Sequence, residues 1–470
     1  MVRRLVVLAI SVALGACANV APAPISGILD PTSLPPELNG VWRSNGYGEI
    51  VAIADGGFEL FNATPVLCIP FGEDDSTFLE FMDQFSLTPD GRSLTVRATA
   101  EPYPYQLERI AAVPAECASP PPNTPVGNFD AFVSFMGAHY GFFELYGVDW
   151  GREVATARAQ LRPHMSDADL FALLTSMLRN IEDGHLSLAG EFNGTRHVFE
   201  ANDGRTQRAI EQAEAARTLT PRDALRAWRL AYWEQDISQS ILGGAGVMAG
   251  NDFIQYGIIG GDIGYIALYT VGGYASRQFD DPGGDLIVLD AAMEDALARF
   301  EAAGVRGVIL DLSINLGGYD FISRAVAGRF ASSDTLAYSK SPADAASPYS
   351  HEAFVHPAEG RRFTGQVYVL TSDVTVSGGE TLTLALRSLP NVTHAGAATR
   401  GALSDVLAKT LPNGWVVTIS NEAYRDHHGV LWEGRGITPE LPLEVFAPDG
   451  DRAPHITVVR LLAERLRASE

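Results

Sequence analysis

Gln366-Val367-Tyr368-Val369-Leu370, then Thr375-Val376-Ser377-Gly378-Gly379-Glu380, then a helical stretch over 381–389, read as a buried strand, a tight turn and a helix. A short run of β-branched, aromatic and aliphatic residues without polar alternation marks a strand covered on both faces. Ser-x-x-Glu at the head of a helix is a capping box. The same turn can raise a serine hydroxyl above a sheet, beside the positive end of a helix whose free N–H groups favour negative charge. On this stretch alone both readings of Ser377 stand.

Working outward, the pattern repeats. Ile263-Gly264-Tyr265-Ile266-Ala267-Leu268 and residues 305–312 read as strands, and 289–303 and 320–330 as helices. Strands alternating with helices predict βαβ units, so residues 256–450 are expected to form an α/β core on a largely parallel sheet. A C-terminal helix is expected within 451–470. Upstream, Phe129, Phe132, Phe135 and Met136 form one helical stripe, and Leu170, Leu173, Leu174, Met177 and Leu178 another. The second ends at Asp183-Gly184-His185, where the glycine fits a helix C-cap. Thr220-Pro221 opens a further helix. These elements predict a helical N-terminal subdomain over 126–255, bounded by the Pro-rich linker 119–125. Residues 37–118 carry short alternating runs with turns such as Asp55-Gly56-Gly57, predicting a separate small antiparallel β domain.

The first residues read as a targeting segment. Met1-Val2-Arg3-Arg4 is basic and the following residues to 16 are apolar, too few to span a membrane. Leu14-Gly15-Ala16-Cys17 resembles a bacterial lipobox, so Cys17 is expected to be lipidated after removal of 1–16. Residues 17–36 are then a Pro-rich linker, and the membrane contact is the lipid alone. The expected location is the cell envelope, on the periplasmic side of the outer membrane. Cys68 and Cys117 remain, an even pair in an oxidising space, fitting either a disulfide or two buried thiols. Two cysteines and scattered histidines argue against a zinc site, and no cofactor is expected. A formal charge of −23 argues against nucleic acid as a partner.

Asp311-Leu312-Ser313-Ile314-Asn315-Leu316-Gly317-Gly318 follows a predicted strand, and its paired glycines let backbone N–H groups approach a ligand. With the turn at Ser377, two strand ends then offer a hydroxyl and N–H donors, the parts of a nucleophile and an oxyanion hole. Three further motifs follow in order: Gly396-Ala397-Ala398-Thr399-Arg400-Gly401, Asn421-Glu422-Ala423-Tyr424 and Glu433-Gly434-Arg435-Gly436-Ile437-Thr438-Pro439-Glu440. Over about 126–445 the chain resembles the tail-specific (C-terminal-processing) serine peptidase superfamily. The branch it is most similar to contains the tricorn protease core and interphotoreceptor retinoid-binding protein. The resemblance implies a crotonase-like ββα core and hydrolysis of peptide or protein substrates through an acyl-enzyme.

Residue by residue, the resemblance implies Ser377 as nucleophile, His185 as general base and Glu433 as supporting carboxylate. Gly378 with Gly317 or Gly318 would hold the oxyanion. The processing branch has a lysine in Thr-x-Gly-Lys-Gly; this chain has Ala402 there, and Lys409 lies beyond the motif. Glu422 and Asp183 are rival carboxylates, and His427-His428 rival bases. Two other functions compete on the same fold: a non-proteolytic binding or scaffold protein for an apolar ligand or peptide, and an esterase.

Overall fold

The computed structural model describes residues 25–29, 33–71, 82–98, 104–215, 220–343 and 349–468. Cys17, the targeting segment and most of the 17–36 linker lie outside them. At the centre is a seven-stranded sheet, in the order Val247–Ala249, Ile254–Ile259, Ile263–Leu268, Gly307–Asp311, Val367–Thr371, Val392–Gly396, Leu441–Pro442. The first two pairings are antiparallel and the rest parallel.

Both faces of this sheet are buried, which is why its strands read as continuous apolar runs. Ile266, Leu268, Val308, Leu310, Val367 and Val369 pack under the helices Pro282–Ala303, Asp320–Gly328 and Gly378–Arg387. Their neighbours Tyr265, Ala267, Ile309, Tyr368 and Leu370 point the other way. There they meet the C-terminal helix Ala453–Ala468 and the π-wound segment Tyr232–Ile241. Adjacent parallel strands place their following loops at the same edge, so residues 312–319 and 372–377 meet above Gly307–Asp311 and Val367–Thr371.

The expected helical subdomain holds the helices Pro125–His139, Trp150–Arg158 and Asp167–Leu178. It is not helical throughout. Ser187–Phe192 and Thr195–Glu200 form a hairpin, and Ser187–Phe192 pairs with the core strand Val416–Ser420 in a four-stranded sheet. A boundary at 255 therefore does not separate two physical units. The helix Asp167–Leu178 also stops well before Gly184, whose φ is not positive, so Gly184 is not its cap.

The β domain is an eight-stranded antiparallel sheet around Trp42, Val51, Leu94, Val96 and Leu107. Its first strand, Ile25–Ile28, pairs with Gln84–Leu87, so the domain reaches into the expected linker. Nor does it stand apart from the core. Lys409, wholly buried, donates from Nζ to the Tyr47 carbonyl and to Asn62 Oδ1, both at 2.7 Å. That contact gives Lys409 a structural place outside any dyad. Cys68 and Cys117 are joined by a disulfide across 49 residues. Cross-linking a loop of this length stabilises chiefly by restricting the unfolded chain, by about 2–4 kcal/mol. Cys68→Ser with Cys117→Ser should lower the thermal transition, and reductant should shift the unmodified protein by the same amount while leaving the variant unmoved.

Candidate active site

Ser377 caps the helix Gly378–Arg387 with φ 56° and ψ −124°. This lies outside the small left-handed region open to non-glycine residues and costs on the order of 1–3 kcal/mol. The surroundings enforce it. The Ser377 N–H donates to the Ala402 carbonyl at 3.1 Å and to Glu380 Oε2 at 3.2 Å, and the Val376 N–H to the Asn315 carbonyl at 3.1 Å. Thr375 Oγ1 donates to the Leu312 carbonyl at 2.7 Å, which ties the two loops together below the serine. The Glu380 half of the capping box fixes the turn, while Ser377 stays partly exposed and its hydroxyl makes no capping bond.

The glycine loop is held by one buried side chain. Asn315 Nδ2 donates to the Leu268 carbonyl and its Oδ1 accepts the Gly317 N–H, both at 2.9 Å. That bond occupies the Gly317 N–H. The N–H groups of Gly318 and Gly378 have no acceptor among the described residues. Their backbones are in close contact, since a Cβ at Gly378 would lie 2.8 Å from Gly318 N. Of the two glycines left open by the sequence, Gly318 is therefore the one with a free donor beside Gly378.

His185 comes from half the chain away. A Cβ on Gly184 would stand 2.9 Å from Ala402 Cβ, and Ala402 in turn holds the Ser377 N–H. One residue thus links the Gly184-His185 corner to the serine. The corner is braced by Asp183, whose Oδ1 accepts the His185 N–H at 2.8 Å and the Ser420 hydroxyl at 2.9 Å. Its Oδ2 accepts from Tyr140 at 2.9 Å. Burial depresses the His185 pKa below 6.5, against the opposing pull of Asp183 and the Ser404 backbone, so the imidazole is neutral near pH 7. Nδ1 is buried without a partner. Among the described residues no hydrogen bond joins the imidazole to the Ser377 hydroxyl or to a carboxylate; resting sites are often loose in this way.

Glu433 reaches the same loop. Its Oε2 accepts the N–H groups of Leu403 and Ser404, each at 3.0 Å, while Oε1 is buried and unpaired. Burial, with the charges of Asp183 and Glu380, pushes its carboxyl well above the usual range. The rivals are otherwise engaged. Glu422, pushed up to about 7 by burial, accepts from Tyr47 and pairs with Lys340 at 3.1 Å. Asp183 spends both oxygens on the corner. His427, half-buried, sits in the turn after Glu422–Asp426 next to the exposed His428 and feels Arg387, at the far end of the serine's helix.

Sequence reasoning missed Tyr146, whose hydroxyl is a third buried atom without a partner and lies 3.1 Å from where a Cβ on Gly434 would be. It missed Asp183's bracing role too. The segment 140–149 joins two helices without periodicity, so only the aromatic run Tyr140-Gly-Phe-Phe hinted at burial.

The parts are those a serine hydrolase on an α/β sheet uses: a hydroxyl beside a free N–H pair at one sheet edge, with the Gly184-His185 corner and the Glu433 carboxylate packed on the adjoining 401–404 loop. Residues 262–443 match peptidase family S41, a family of serine-type peptidases, in line with the resemblance to the tail-specific superfamily. A candidate peptidase from Parabacteroides merdae ATCC 43184 superposes with a TM-score of 0.56 at 22% identity, over 72% of this chain and 97% of that one. Mature CPAF complexed with lactacystin gives 0.51 at 12% identity, over 74% and 99%. These likenesses concern the fold. No curated protein matches the chain.

Gly317 tests the geometry. At φ 85° a Cβ there would lie 2.6 Å from Ser377 Cβ and 2.9 Å from the Val376 carbonyl. Gly317→Ala should destabilise by about 2–4 kcal/mol from strain and overpacking and displace Ser377. Gly414→Ala, also at positive φ but with nothing within 4 Å, should cost only about 1–2 kcal/mol. Denaturant midpoints of the two variants check this.

Proposed function

We propose that the protein is a cell-envelope serine peptidase that cleaves peptide bonds through an acyl-enzyme on Ser377. His185 takes the hydroxyl proton as Ser377 Oγ attacks the scissile carbonyl carbon. The oxyanion that forms accepts from Gly318 and Gly378, at the positive end of the helix Gly378–Arg387. As the tetrahedral adduct collapses, His185 returns the proton to the leaving amine. A water deprotonated by His185 then hydrolyses the ester. Glu433 holds the Leu403-Ser404 backbone beside His185. The observation that carries this reading is the unused N–H pair of Gly318 and Gly378 beside a strained serine. Envelope location is supported by the basic-apolar start ending in Cys17 and by the disulfide, a bond favoured in oxidising compartments.

Ser377→Ala should lower kcat/KM on an unstructured peptide by about 10⁴-fold or more with an unchanged melting temperature. Adding His185→Ala to it should cost almost nothing further, because groups acting as a unit are not additive. Undiminished turnover by Ser377→Ala would refute the assignment. Hydrolysis of esters but no peptide would make the protein an esterase, and failure of any serine-directed probe to label Ser377 would favour a binding protein.

The pH profile gives an independent check. A protonated His185 cannot accept the serine proton, and burial lowers its pKa despite Asp183 and Asp405, with Arg400 adding to the fall. The acid limb of kcat/KM should therefore lie below 6.5. A limb at or above that value would mean that another group is the base.

A further inference from the structure

A cleft of about 860 Å³ opens between the helix Pro221–Ala231, the segment Tyr232–Ile241 and the turn that joins the first two strands of the central sheet. Trp233, Phe253 and Tyr269 form an aromatic wall, with Tyr269 5.6 Å from the Trp233 ring and 5.4 Å from Phe253. Arg222, Arg226, Arg229 and Arg277 also line it. In a chain of formal charge −23, four arginines around one cleft reverse the local sign. Three acids line it as well, and two of them are engaged. Asp223 accepts from Thr220 at the helix start, and Asp252 lies 3.8 Å from Arg277. The third, Glu234, is exposed.

Buried donors in the wall lack acceptors. Trp233 is 7% exposed, yet its Nε1–H has no partner, and Arg229 Nε is buried and unpaired. Arg222 and Arg226 have no ion-pair partner among the described residues. A buried unpaired donor costs about 1–3 kcal/mol, which an incoming acceptor relieves.

The cleft adjoins the candidate active site on two sides. The Tyr269 carbonyl accepts the N–H of Leu316, the residue before Gly317. On the other side Arg229 is close enough to Arg400 to depress its pKa, and Arg400 precedes the Gly401-Ala402 pair that touches Ser377 and Gly184. A chain lying across Ser377 has this cleft as a neighbour.

We propose that the cleft binds a carboxylate of the peptide substrate, with an apolar neighbour residue against the Trp233–Phe253–Tyr269 wall. The substrate class is therefore acidic rather than basic segments. This rests on the peptidase reading for its biological meaning but not for its test. The probe is a set of fluorescein-labelled decapeptides binding Ser377→Ala protein, in which one Glu is exchanged for Gln or the C-terminal carboxylate for the amide. At low salt the acidic peptide should bind about five- to tenfold tighter than its neutral counterpart, with the difference shrinking in 0.5 M NaCl. Loss on Glu→Gln puts a side chain in the cleft, and loss on amidation puts the chain terminus there. Equal affinity for all three peptides overturns the proposal. Arg222→Ala with Arg226→Ala, both exposed on one helix and outside the catalytic machinery, should abolish the preference. Trp233→Phe, which keeps an aromatic ring and removes the donor, should weaken acidic and neutral peptides unequally. A preference that survives in both variants also overturns it. If acidic peptides bind selectively but the native protein cleaves none, the catalytic reading fails and this one stands. Cleavage with no acid preference does the reverse.

Discussion

The carboxylate of Glu380 is the constraint on which the site depends. Buried completely, it accepts from Thr399 Oγ1 at 2.6 Å, from the N–H groups of Gly401 and Ala402 at 2.7 and 2.8 Å, and from Ser377 N at 3.2 Å. Burial still raises its pKa, which measures the cost of keeping that group out of water. Four donors offset much of that cost, and each lies on one of two segments that must meet. The helix start and the 396–405 loop are thereby fixed to each other through a single side chain. Remove it, and the backbone donors at 401 and 402 are left buried without their acceptor.

The 396–405 loop then passes this order on. Glu433 holds its next two N–H groups, Lys340 pairs with Asp405, and the Ser404 hydroxyl accepts from Glu422 N at 3.0 Å. Tyr47 of the β domain donates to Glu422. A chain of hydrogen bonds thus runs from the β domain to within a few residues of Ser377. The domain that sequence patterning set apart is anchored by buried polar groups, which carry no periodic signal.

The central sheet was legible because burial on both faces leaves an unmistakable mark, and Ile263–Leu268 was bounded correctly to the residue. Ser377, Gly378 and the glycine loop were legible because strand ends and glycine pairs are local features. What was not legible is the cross-chain geometry. The hairpin around Asn193-Gly194, both at positive φ, carried a two-residue turn signal that the helical reading of 126–255 passed over. Val416–Ser420 is a run of mostly β-branched residues, but nothing in it says that it pairs with Ser187–Phe192. That pairing seats the Gly184-His185 corner, with Thr418 Oγ1 bonded to the His185 carbonyl at 2.6 Å. Likewise Asp183 looked like a rival carboxylate because its partners, Tyr140 and Ser420, lie far off in sequence.

Ala402 shows why the lysine of the processing branch has no place here. The Ala402 side chain is fully buried, and the Gly184 Cα is packed so tightly against it that even a methyl on Gly184 would come within 2.9 Å. A lysine at 402 would need room for four more methylenes and an ammonium in the space that the corner fills. Glu380, the carboxylate bonded to the 402 backbone, has already committed both of its oxygens. The small residues at 184 and 402 are therefore one adaptation rather than two. They let the strand pairing seat the Gly184-His185 corner directly against the loop that holds the Ser377 N–H. In this geometry a larger side chain at 402 and the backbone at 184 compete for the same space.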